Sequence, residues 1–401
     1  MTSTVCIVGG CGHVGLPLGI ALADGGANVT LVDTDVRRVT AVNEGKMPFL
    51  ERGGEPVLKR VKQQGRLQAF TTGEVIAKSD VVIVTIGTPV DEFLDPGVRT
   101  FDRSIDKVLD QMRAGQLLIL RSTVFPGVTE RLQRRVTERN LQIDVAHCPE
   151  RIAQGYAMEE LGKLPQIIGG ATPQATERAK KIFSLLGVRI LEVQPVEAEL
   201  AKLFANAHRY INFAISNQFY MIAQRFGADF HRVHEAVTAD YPRLRGFAKA
   251  GLAGGPCLLK DTMQLAAFNH NAFPIGQAAM MVNEGLPSVI VEQVKTTFNL
   301  QNCTAAILGM AFKGDCDDPR DSLAYKMRKV LTLECREVIC TDPYIEDPDF
   351  VSLEEALDRA DILFIGATHA EYRHLSPSQP LIDVFDFIQS PAALKVHRPA
   401  A

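Results

Sequence analysis

The fold is decided by a segment at the start of the chain, which reads Thr4-Val5-Cys6-Ile7-Val8-Gly9-Gly10-Cys11-Gly12-His13-Val14-Gly15. Its apolar run meets a Gly-x-Gly-x-x-Gly pattern, and residues 14–23 continue as a predicted helix. A second predicted strand, residues 28–32, ends in Asp33. This order of strand, glycine turn, helix, strand and acid is typical of the βαβ unit that binds a dinucleotide. We therefore predict an N-terminal dinucleotide-binding domain.

The three glycines of the pattern have separate expected roles in that unit. Gly10 is expected to make the tight turn, Gly12 to admit the pyrophosphate, and Gly15 to let the helix pack on the strand. The diphosphate is expected at the helix N-terminus, near Val14, because the first N–H groups of a helix have no partner within it.

The acid at the end of the second strand predicts which cofactor binds. Asp33 is expected to hold a ribose 2′-hydroxyl, and its charge would repel a 2′-phosphate, which favours NAD over NADP. Arg37 and Arg38 follow closely. These two arginines keep NADP binding open, because either can pair with a 2′-phosphate. The alternative interpretation is that both are solvated charges on the surface of a helix.

Three further apolar runs, residues 80–86, 117–120 and 145–148, are each followed by polar candidates, Thr88, Thr123 and Glu150 respectively. Ligands of an open parallel sheet lie at the carboxyl ends of its strands. Each of these residues alone is more typical of a helix cap or a turn. Three of them at one edge favour a binding site.

The middle of the chain contains a stretch, residues 196–226, without Gly or Pro, which predicts a helix of about eight turns. Its apolar residues form a broad face, which suggests a subunit interface. Five residues at spacings of three and four, four of them polar, share one side of this helix: Lys202, Asn206, Arg209, Phe213 and Asn217. We refer to them as the polar line. Such a line is either a solvated strip or one wall of a site.

One thiol lies in a segment that suits covalent chemistry, Gly254-Gly255-Pro256-Cys257-Leu258-Leu259-Lys260-Asp261. Glycines allow close approach of a substrate, and Lys260 or a helix N-terminus favours the thiolate of Cys257, the form that attacks carbon. Asp261 is one helical turn further on. The alternative is a buried structural cysteine after a glycine turn.

The last third repeats the strand–helix–strand pattern without a glycine fingerprint, at residues 304–308, 337–340 and 362–365. Lys313 and Arg320 are its candidate partners for phosphate oxygens. We predict an α/β protein with two Rossmann-like, doubly wound parallel-sheet domains joined by a central all-helical domain with one long helix. The predicted domains are residues 1–194, 195–298 and 299–401, the first binding NAD.

Composition excludes several classes of protein. The 401 residues are 46% hydrophobic and carry a formal net charge of −4, which argues against a nucleic-acid or membrane surface. No apolar run has the length of a membrane span. The eight cysteines contain no Cys-x-x-Cys pair. We therefore predict no metal site and a reducing, cytoplasmic location.

Together these motifs resemble the UDP-glucose/GDP-mannose dehydrogenase family along nearly the whole chain. The resemblance rests on Gly-Gly-Cys-Gly-His-Val-Gly-Leu-Pro from Gly9, Gly-Thr-Pro from Gly87, Ser-Thr-Val-Phe-Pro-Gly from Ser122, Pro-Glu-Arg from Pro149, Lys202-x-x-x-Asn206, Gly-Gly-Pro-Cys-Leu-Leu-Lys-Asp from Gly254, and Phe-Lys-Gly-Asp-Cys-Asp-Asp-Pro-Arg-Asp-Ser from Phe312. It implies oxidation of a sugar C6 alcohol to a carboxylate with two NAD per turnover, and a homodimer or larger assembly formed by the central domain.

The resemblance also implies residue roles. Cys257 forms a thiohemiacetal and then a thioester, Lys202 and Asn206 stabilise the oxyanion, and Lys202 or Asp261 removes the alcohol proton through water. Thr123 and Glu150 orient that water and assist hydrolysis. The implied cofactor contacts beyond the glycine pattern are Asp33, Arg38, Thr88, Thr123, Lys260 and Arg320. The implied substrate contacts are Glu150, Arg151, Lys202, Asn206, Arg209, Arg243 (from a partner subunit), Lys249, Gly254 and Lys313.

The substrate prediction rests on a subgroup of this family. Pro-Glu-Arg from Pro149 and the arginine at position 209 resemble UDP-N-acetylmannosamine and UDP-N-acetylglucosamine dehydrogenases. Arg151 and Arg209 would donate to a 2-acetamido carbonyl, and Gln154 tolerates an amide neighbour. The alternative for Arg151 is that it anchors a loop. Gln154 also replaces an acid that many members carry, and the glycine turn before Cys257 is atypical.

Other functions stay open at this point. UDP-glucose or GDP-mannose oxidation uses the same chemistry. A two-electron hydroxyacid dehydrogenase also pairs a Rossmann domain with a Lys-x-x-x-Asn helix, but it needs neither Cys257 nor a third domain. A non-catalytic nucleotide-sugar sensor is a further alternative, against which the retained thiol, Lys202 and Asp261 argue.

Overall fold

The computed structural model describes residues 3–88, 90 and 97–389. Pro89 of the Gly-Thr-Pro motif lies outside the described residues, as do the ends of the predicted terminal domains, residues 1–2 and 390–401. The chain divides into two compact units, Met1–Ala205 and Asn206–Ala401. The division falls within the longest helix, and each unit is described separately below.

The first unit is built on an eight-stranded sheet with the order β3-β2-β1-β4-β5-β6-β7-β8. Neighbouring strands are parallel except β6 and β7, which are antiparallel. The first six strands thus have the Rossmann order, with the crossover between β1 and β4. The strands are β1 (Thr4–Val8), β2 (Asn28–Val32), β3 (Leu67–Phe70), β4 (Val81–Val84), β5 (Leu117–Leu120), β6 (Asp144–His147), β7 (Gln166–Gly170) and β8 (Ile190–Glu192).

Both faces of this sheet are covered, which explains why its central strands read as continuous apolar runs. Ile7, Ile83 and Ile119 belong to one buried cluster, whereas Val82 and Leu118 belong to another on the opposite face. The helices of the unit are α1 (Gly15–Asp24), α2 (Val36–Asn43), α3 (Gly54–Gln63), α4 (Val98–Leu109), α5 (Val128–Glu138), α6 (Ala157–Leu161) and α7 (Pro173–Phe183). Short 3₁₀ helices span Gly73–Lys78 and Ser184–Leu186.

The register brings the ends of the central strands to one edge. Val8 is level with Val32 of β2 and Val84 of β4, Val84 with Leu120, and Leu120 with His147. The loops that follow these strands therefore share an edge, as the sequence predicted.

The long helix α8, Pro195–Arg225, confirms the helix predicted over residues 196–226. Its first turns are tied to the first unit by Glu199, which is fully buried. The Glu199 carboxylate accepts hydrogen bonds from the Gly127 N–H (2.6 Å), the Thr129 N–H (2.7 Å) and the Thr129 hydroxyl (2.6 Å). Burial raises the pKa of Glu199, although the three donors oppose that shift. Glu199 thereby caps α5, because the N-cap residue of that helix, Gly127, has no side chain that could accept these N–H groups.

The second unit contains a four-stranded parallel sheet in the order β10-β9-β11-β12. Its strands are β9 (Thr304–Leu308), β10 (Glu337–Thr341), β11 (Ile362–Ile365) and β12 (Leu381–Ile382). The helices are α9 (Phe230–Thr238), α10 (Leu258–Phe268), α11 (Pro274–Lys295), α12 (Leu323–Glu334) and α13 (Leu353–Arg359), with 3₁₀ turns at Pro242–Leu244, Leu300–Asn302 and Ala370–Tyr372. A second Rossmann-like parallel sheet, with helices α8 to α11 between the two sheets in chain order, confirms the predicted fold class.

Helix α11 contains a proline away from its ends. The helix begins at Pro274 and continues through Pro287. Pro287 lacks an N–H, and a proline at such a position usually interrupts a helix. In the structure Pro287 is buried, so packing compensates for the missing hydrogen bond. No helix among the described residues combines the length and apolar character needed to span a membrane.

Candidate active site

The glycine loop has the expected shape, but one role moves by a residue. Gly9, with a φ of +77°, makes the turn that was assigned to Gly10. Gly10 is required for packing instead, because a Cβ there would lie 2.6 Å from the Ile7 carbonyl oxygen. A Cβ on Gly15 would lie 2.6 Å from the Gly9 carbonyl oxygen, whereas Gly12 has 3.5 Å to its nearest neighbour. The open space at Gly12, at the beginning of α1, fits a pyrophosphate.

Asp33 lies directly after β2 and stabilises the same loop. Its Oδ2 accepts the Cys11 N–H at 3.0 Å and its Oδ1 accepts the Asp35 N–H at 3.1 Å. A carboxylate has about four acceptor sites, so Asp33 retains capacity for a ribose hydroxyl. Arg37 and Arg38 bond to Asp35, and the Arg37 side chain is 95% exposed.

Gln154 also lies at the glycine loop. Its Nε2 is within 3.1 Å of both ring nitrogens of His13, and the His13 ring centroid lies 4.0 Å from that of Phe49. From the sequence, Gln154 was expected beside the amide of the sugar. The structure places its amide against the cofactor-binding loop.

The edge beyond β5 and β6 carries a cluster of charged groups with little exposure. Glu150 is 8% exposed, and its carboxylate accepts the Ile152 N–H. Arg121 is buried beside it, and burial lowers the pKa of Arg121 while the Glu150 charge opposes that shift. Arg151 donates to the carbonyl of Pro165. This contact matches the alternative interpretation of Arg151, as a residue that anchors a loop.

Lys202 is 7% exposed, so its ammonium group lies largely out of water. Burial lowers the pKa of His147 to about 3, and the charges of Arg121 and Lys202 contribute to that shift. His147 is therefore neutral near Lys202. Thr88 and Thr123 are half-buried in the loops that follow β4 and β5.

The polar line on α8 faces inward for most of its length. Asn206 is 4% exposed and Asn217 is fully buried, whereas Arg209 is exposed. Part of the apolar face points outward instead, since Phe219 is 50% exposed and Phe226 is 83% exposed. The inward direction excludes a solvated strip for Lys202, Asn206 and Asn217, but not for Arg209.

The thiol segment is fixed on α8 at both of its ends. Asn206 donates through Nδ2 to Asp261 Oδ2 at 2.6 Å, and Asp261 is fully buried. Lys260 Nζ lies 3.3 Å from the other carboxylate oxygen. Eleven residues along α8, the Asn217 side chain exchanges two hydrogen bonds with the backbone of Gly251. Two amides of one helix thus hold residues 251–261 in place.

Cys257 is exposed and occupies the N-cap position of α10. The adjacent glycines serve the protein's own packing. A Cβ on Gly254 would lie 2.7 Å from the Asp321 carbonyl oxygen, and Gly255, with a φ of +104°, faces the ring of Phe312. Packing within the protein therefore already requires both glycines, and close substrate approach, the role that the sequence suggested, stays a prediction.

Arg320 lies near the thiol and is held by an acid. It donates through Nε and Nη2 to the carboxylate of Asp318, with distances of 2.5–3.0 Å. The pKa of Arg320 is raised, mainly by the Asp318 hydrogen bond and in part by Cys257. A guanidinium so placed favours an ionised thiol.

Burial raises the pKa of the other cysteines. The pKa is about 12 for Cys6, Cys11 and Cys148 and about 11 for Cys316, Cys335 and Cys340. Cys303 is half-buried, and its pKa is raised for the same reason. None of these seven thiols has the exposure of Cys257.

A groove of about 420 Å³ within the second unit brings Lys249 and Lys313 together. Lys313 Nζ lies 5.9 Å from the centroid of the Phe312 ring. The groove is also lined by residues that the sequence analysis missed, Thr368, Arg373, Phe385, Phe387 and Gln389. They follow β11 and β12, so the rule that ligands lie beyond strand ends would have found them if the two-residue strand β12 had been recognised.

The NAD binding domain of the UDP-glucose/GDP-mannose dehydrogenase family matches residues 3–186, the central domain residues 196–285, and the UDP binding domain residues 306–389. The chain belongs to this family. It is therefore an oxidoreductase that uses NAD and takes a UDP-sugar as substrate, as the motifs predicted.

Curated relatives and solved structures cover nearly the full chain. The UDP-N-acetyl-D-mannosamine dehydrogenase of Methanocaldococcus jannaschii is 31% identical over 378 residues, which is 92% of this chain and 86% of that protein. A UDP-D-ManNAc dehydrogenase from Pyrococcus horikoshii superposes with a TM-score of 0.89 at 29% identity, covering 97% and 96% of the two chains. A UDP-glucose dehydrogenase from Pyrobaculum islandicum has a TM-score of 0.88 at 26% identity, covering 98% and 96%.

We predict that kcat/KM is at least about tenfold higher with NAD than with NADP, because the Asp33 carboxylate repels a 2′-phosphate. Asp33→Asn should narrow this ratio. Asp35→Asn is the matched control, since Asn retains the N-cap of α2 and the ratio should stay unchanged. Equal rates with both cofactors in the wild type would assign the 2′-phosphate to Arg38 instead.

Proposed function

We propose that this family member oxidises the C6 alcohol of a UDP-linked N-acetylhexosamine to the carboxylate, with N-acetylmannosamine preferred over N-acetylglucosamine. The observation that carries the chemistry is the exposed thiol of Cys257 at the start of α10, on a helix fixed by the buried bond between Asn206 and Asp261. A two-electron alcohol oxidation does not need such a thiol.

The position of Cys257 favours its nucleophilic form. A helix N-terminus stabilises negative charge, and the guanidinium of Arg320 adds a cation nearby. The thiolate sulfur bonds to the carbon of the C6 aldehyde, and the carbonyl oxygen takes up a proton to give a thiohemiacetal. Oxidation of this adduct gives a thioester, which water cleaves to the carboxylic acid and the thiol. Bound NAD supplies the hydride acceptor for each oxidation.

The remaining catalytic roles are proposed from residue chemistry. The ammonium group of Lys202 and the amide of Asn206, one turn apart on α8, suit stabilisation of a developing oxyanion. One Asn206 hydrogen is already donated to Asp261, so the second is the one available. The alcohol proton passes through water to Asp261, or to Lys202 when its amine is neutral. Thr123 and Glu150 orient that water and assist hydrolysis.

Cofactor and substrate contacts complete this proposal. NAD is held by Gly10, Gly12, Val14, Gly15, Asp33, Arg38, Thr88, Thr123, Lys260 and Arg320. The groove with Lys249 and Lys313 accepts the nucleotide, since ammonium groups pair with phosphates and phenylalanine rings stack on a base. Domains at residues 1–194, 195–298 and 299–401, and a reducing cytoplasmic location, belong to the same proposal.

The choice of sugar is supported by relatives more than by side chains. The relatives from M. jannaschii and P. horikoshii are named for N-acetylmannosamine. Arg151 and Gln154 have other partners in this structure, Pro165 and His13, which weakens their assignment to the acetamido group. Arg209 is exposed and keeps that role in the proposal. UDP-glucose remains the alternative substrate.

A homodimer through α8 is supported by an apolar groove of about 830 Å³ in the second unit. Ile215, Phe219 and Ile222 form an exposed stripe of α8 that continues in Phe226, directly after the helix. Val233 and Val237 of α9 face the same groove. A second copy offers a matching surface, because a two-fold interface pairs one patch with itself. Arg243 lines this groove, and the proposal assigns it to the substrate of a partner subunit.

We predict two NADH per UDP-sugar consumed. Cys257→Ala should retain NAD binding and lose acid formation by about 10⁴-fold or more, because the covalent step is removed. NADH is followed by absorbance and the acid by chromatography, with Cys303→Ala as the control. A single NADH per substrate would favour the hydroxyacid dehydrogenase, and undiminished acid formation by the alanine variant would rule out the thioester.

We predict that kcat/KM for UDP-N-acetylmannosamine exceeds that for UDP-glucose and GDP-mannose by at least about a hundredfold. A site that hydrogen-bonds the acetamido group leaves polar groups unpaired when that group is missing. The measurement compares these three substrates and UDP-N-acetylglucosamine under one condition. Faster turnover of either unacetylated sugar contradicts the proposal.

We predict a dimer in sedimentation experiments at micromolar concentration. Phe219→Asp should weaken it by about 2 kcal/mol or more, since it buries a charge at the centre of the interface. Leu333→Asp is the control, because Leu333 is 85% exposed on α12 and lies outside the groove. A monomer in the wild type would remove both the interface and the role of Arg243.

A further inference from the structure

A buried pair of ionisable side chains lies beyond the strand ends of the second sheet. His369 Nε2 is 3.1 Å from Asp342 Oδ2, and both side chains have no exposed area. His369 follows β11 and Asp342 follows β10, the two strands on either side of β9. The pair therefore spans the loop that leaves β9, residues 309–316.

The Asp342 carboxylate accepts hydrogen bonds from His369 and from four backbone N–H groups. Burial alone would raise its pKa, but the hydrogen bond from His369 and those from the surrounding N–H groups hold the pKa of Asp342 below its ordinary value. Oδ2 also accepts the N–H groups of Met310 (2.6 Å) and Ala311 (3.0 Å), and Oδ1 accepts those of Tyr344 (2.8 Å) and Ile345 (3.1 Å). The carboxylate thus fixes the first residues of the β9 loop.

The other ring nitrogen of His369 holds the far end of the same loop. Nδ1 is 3.0 Å from the Asp315 backbone nitrogen, whose N–H can only donate. Nδ1 must therefore lack a proton, so Nε2 carries it and donates to Asp342. Asp315 Oδ1 in turn accepts the Ala370 N–H at 2.8 Å. This arrangement requires the neutral ring with its proton on Nε2.

The loop between these two anchors has a constrained backbone. Asp315 has a φ of 51°, in a region that residues other than glycine seldom occupy. A Cβ on Gly314 would overlap the carbonyl of Thr368, so the loop lies directly against the segment that carries His369. Phe312 and Lys313 project from this loop into the groove. The lysine is two residues from the N–H that His369 accepts.

We propose that His369 is a positioning residue for the nucleotide: its ring fixes the β9 loop so that Lys313 meets the diphosphate of the UDP-sugar. This inference rests on the proposed function of the groove. A catalytic role is excluded because the ring is buried and both nitrogens are occupied. The ring acts through the Asp315 N–H and the Asp342 carboxylate, each of which can be tested separately.

The test is calorimetric titration of UDP and of NAD into the full-length wild type and four variants. His369→Leu removes both hydrogen bonds and should raise the Kd of UDP at least about tenfold, equivalent to about 1.4 kcal/mol, with the Kd of NAD unchanged. His369→Asn keeps an acceptor near Nδ1 and should recover much of the affinity. His369→Gln keeps a donor near Nε2 but no acceptor for Asp315, and should recover little. His374→Asn, at an exposed histidine, is the control.

A structural role alone would make UDP affinity follow the unfolding temperature of the variants. Positioning predicts instead that Asn and Gln differ in UDP affinity at similar unfolding temperatures. If the His369→Leu variant does not fold, the comparison of the Asn and Gln variants still tests the proposal. Wild-type UDP affinity in a folded His369→Leu protein, or equal affinity in the Asn and Gln variants, would overturn the proposal.

Ring nitrogen shifts give a second readout. In protein labelled with ¹⁵N-histidine, the resonances missing from His369→Asn should show the neutral Nε2–H tautomer, and a charged ring would contradict the hydrogen-bond assignment. Failure of the wild type to bind UDP would instead refute the proposed substrate groove. The two proposals therefore fail in different experiments.

Discussion

The hydrogen bond between Asn206 and Asp261 determines how the thiol is presented. A carboxylate removed from water is costly unless it is paired, and Asp261 is fully buried with the Asn206 amide 2.6 Å from one oxygen. The bond therefore restrains α10 against α8. The first turn of α10, which begins at the thiol, contains Asp261 and is held by the same contact. The Asn217 amide likewise holds the backbone of Gly251, six residues before the thiol. Two side chains of α8 therefore position the segment that carries the reactive group.

Most of the fold could be predicted because its signals are local. Strands β1, β2 and β5 coincide with apolar runs, and α8 differs by one residue at each end from its predicted range. The candidate site was less predictable, because its contacts join distant segments. Asn206 and Asp261 are 55 residues apart, and Gln154 and His13 are 141 apart. Residue types at these positions indicate polar partners but not which ones. Even the glycine turn was displaced from Gly10 to Gly9, since a pattern of glycines does not indicate which has the positive φ.

The long helix illustrates a second limit of periodicity. Spacings of three and four correctly placed Lys202, Asn206 and Asn217 on one line, but they carry no information about direction. In the structure these three residues are buried together with part of the apolar face, whereas Arg209 and the apolar Phe219 are exposed. The buried side of α8 thus mixes polar and apolar residues, and so does its exposed side. A division of the helix into one apolar and one polar face, as expected for a surface helix, does not describe it.

The uneven exposure of the cysteines has a practical consequence. Six thiols have a pKa near 11 or 12, and Cys303, half-buried, is also shifted upward, so each is mostly protonated at neutral pH. An electrophile needs an accessible thiolate, and these side chains offer it poorly. Cys257 combines access with a helix terminus and a nearby guanidinium. The wild-type protein thus has a built-in attachment point for a covalent probe, and a fluorophore or an irreversible ligand can be directed there without first removing the other cysteines.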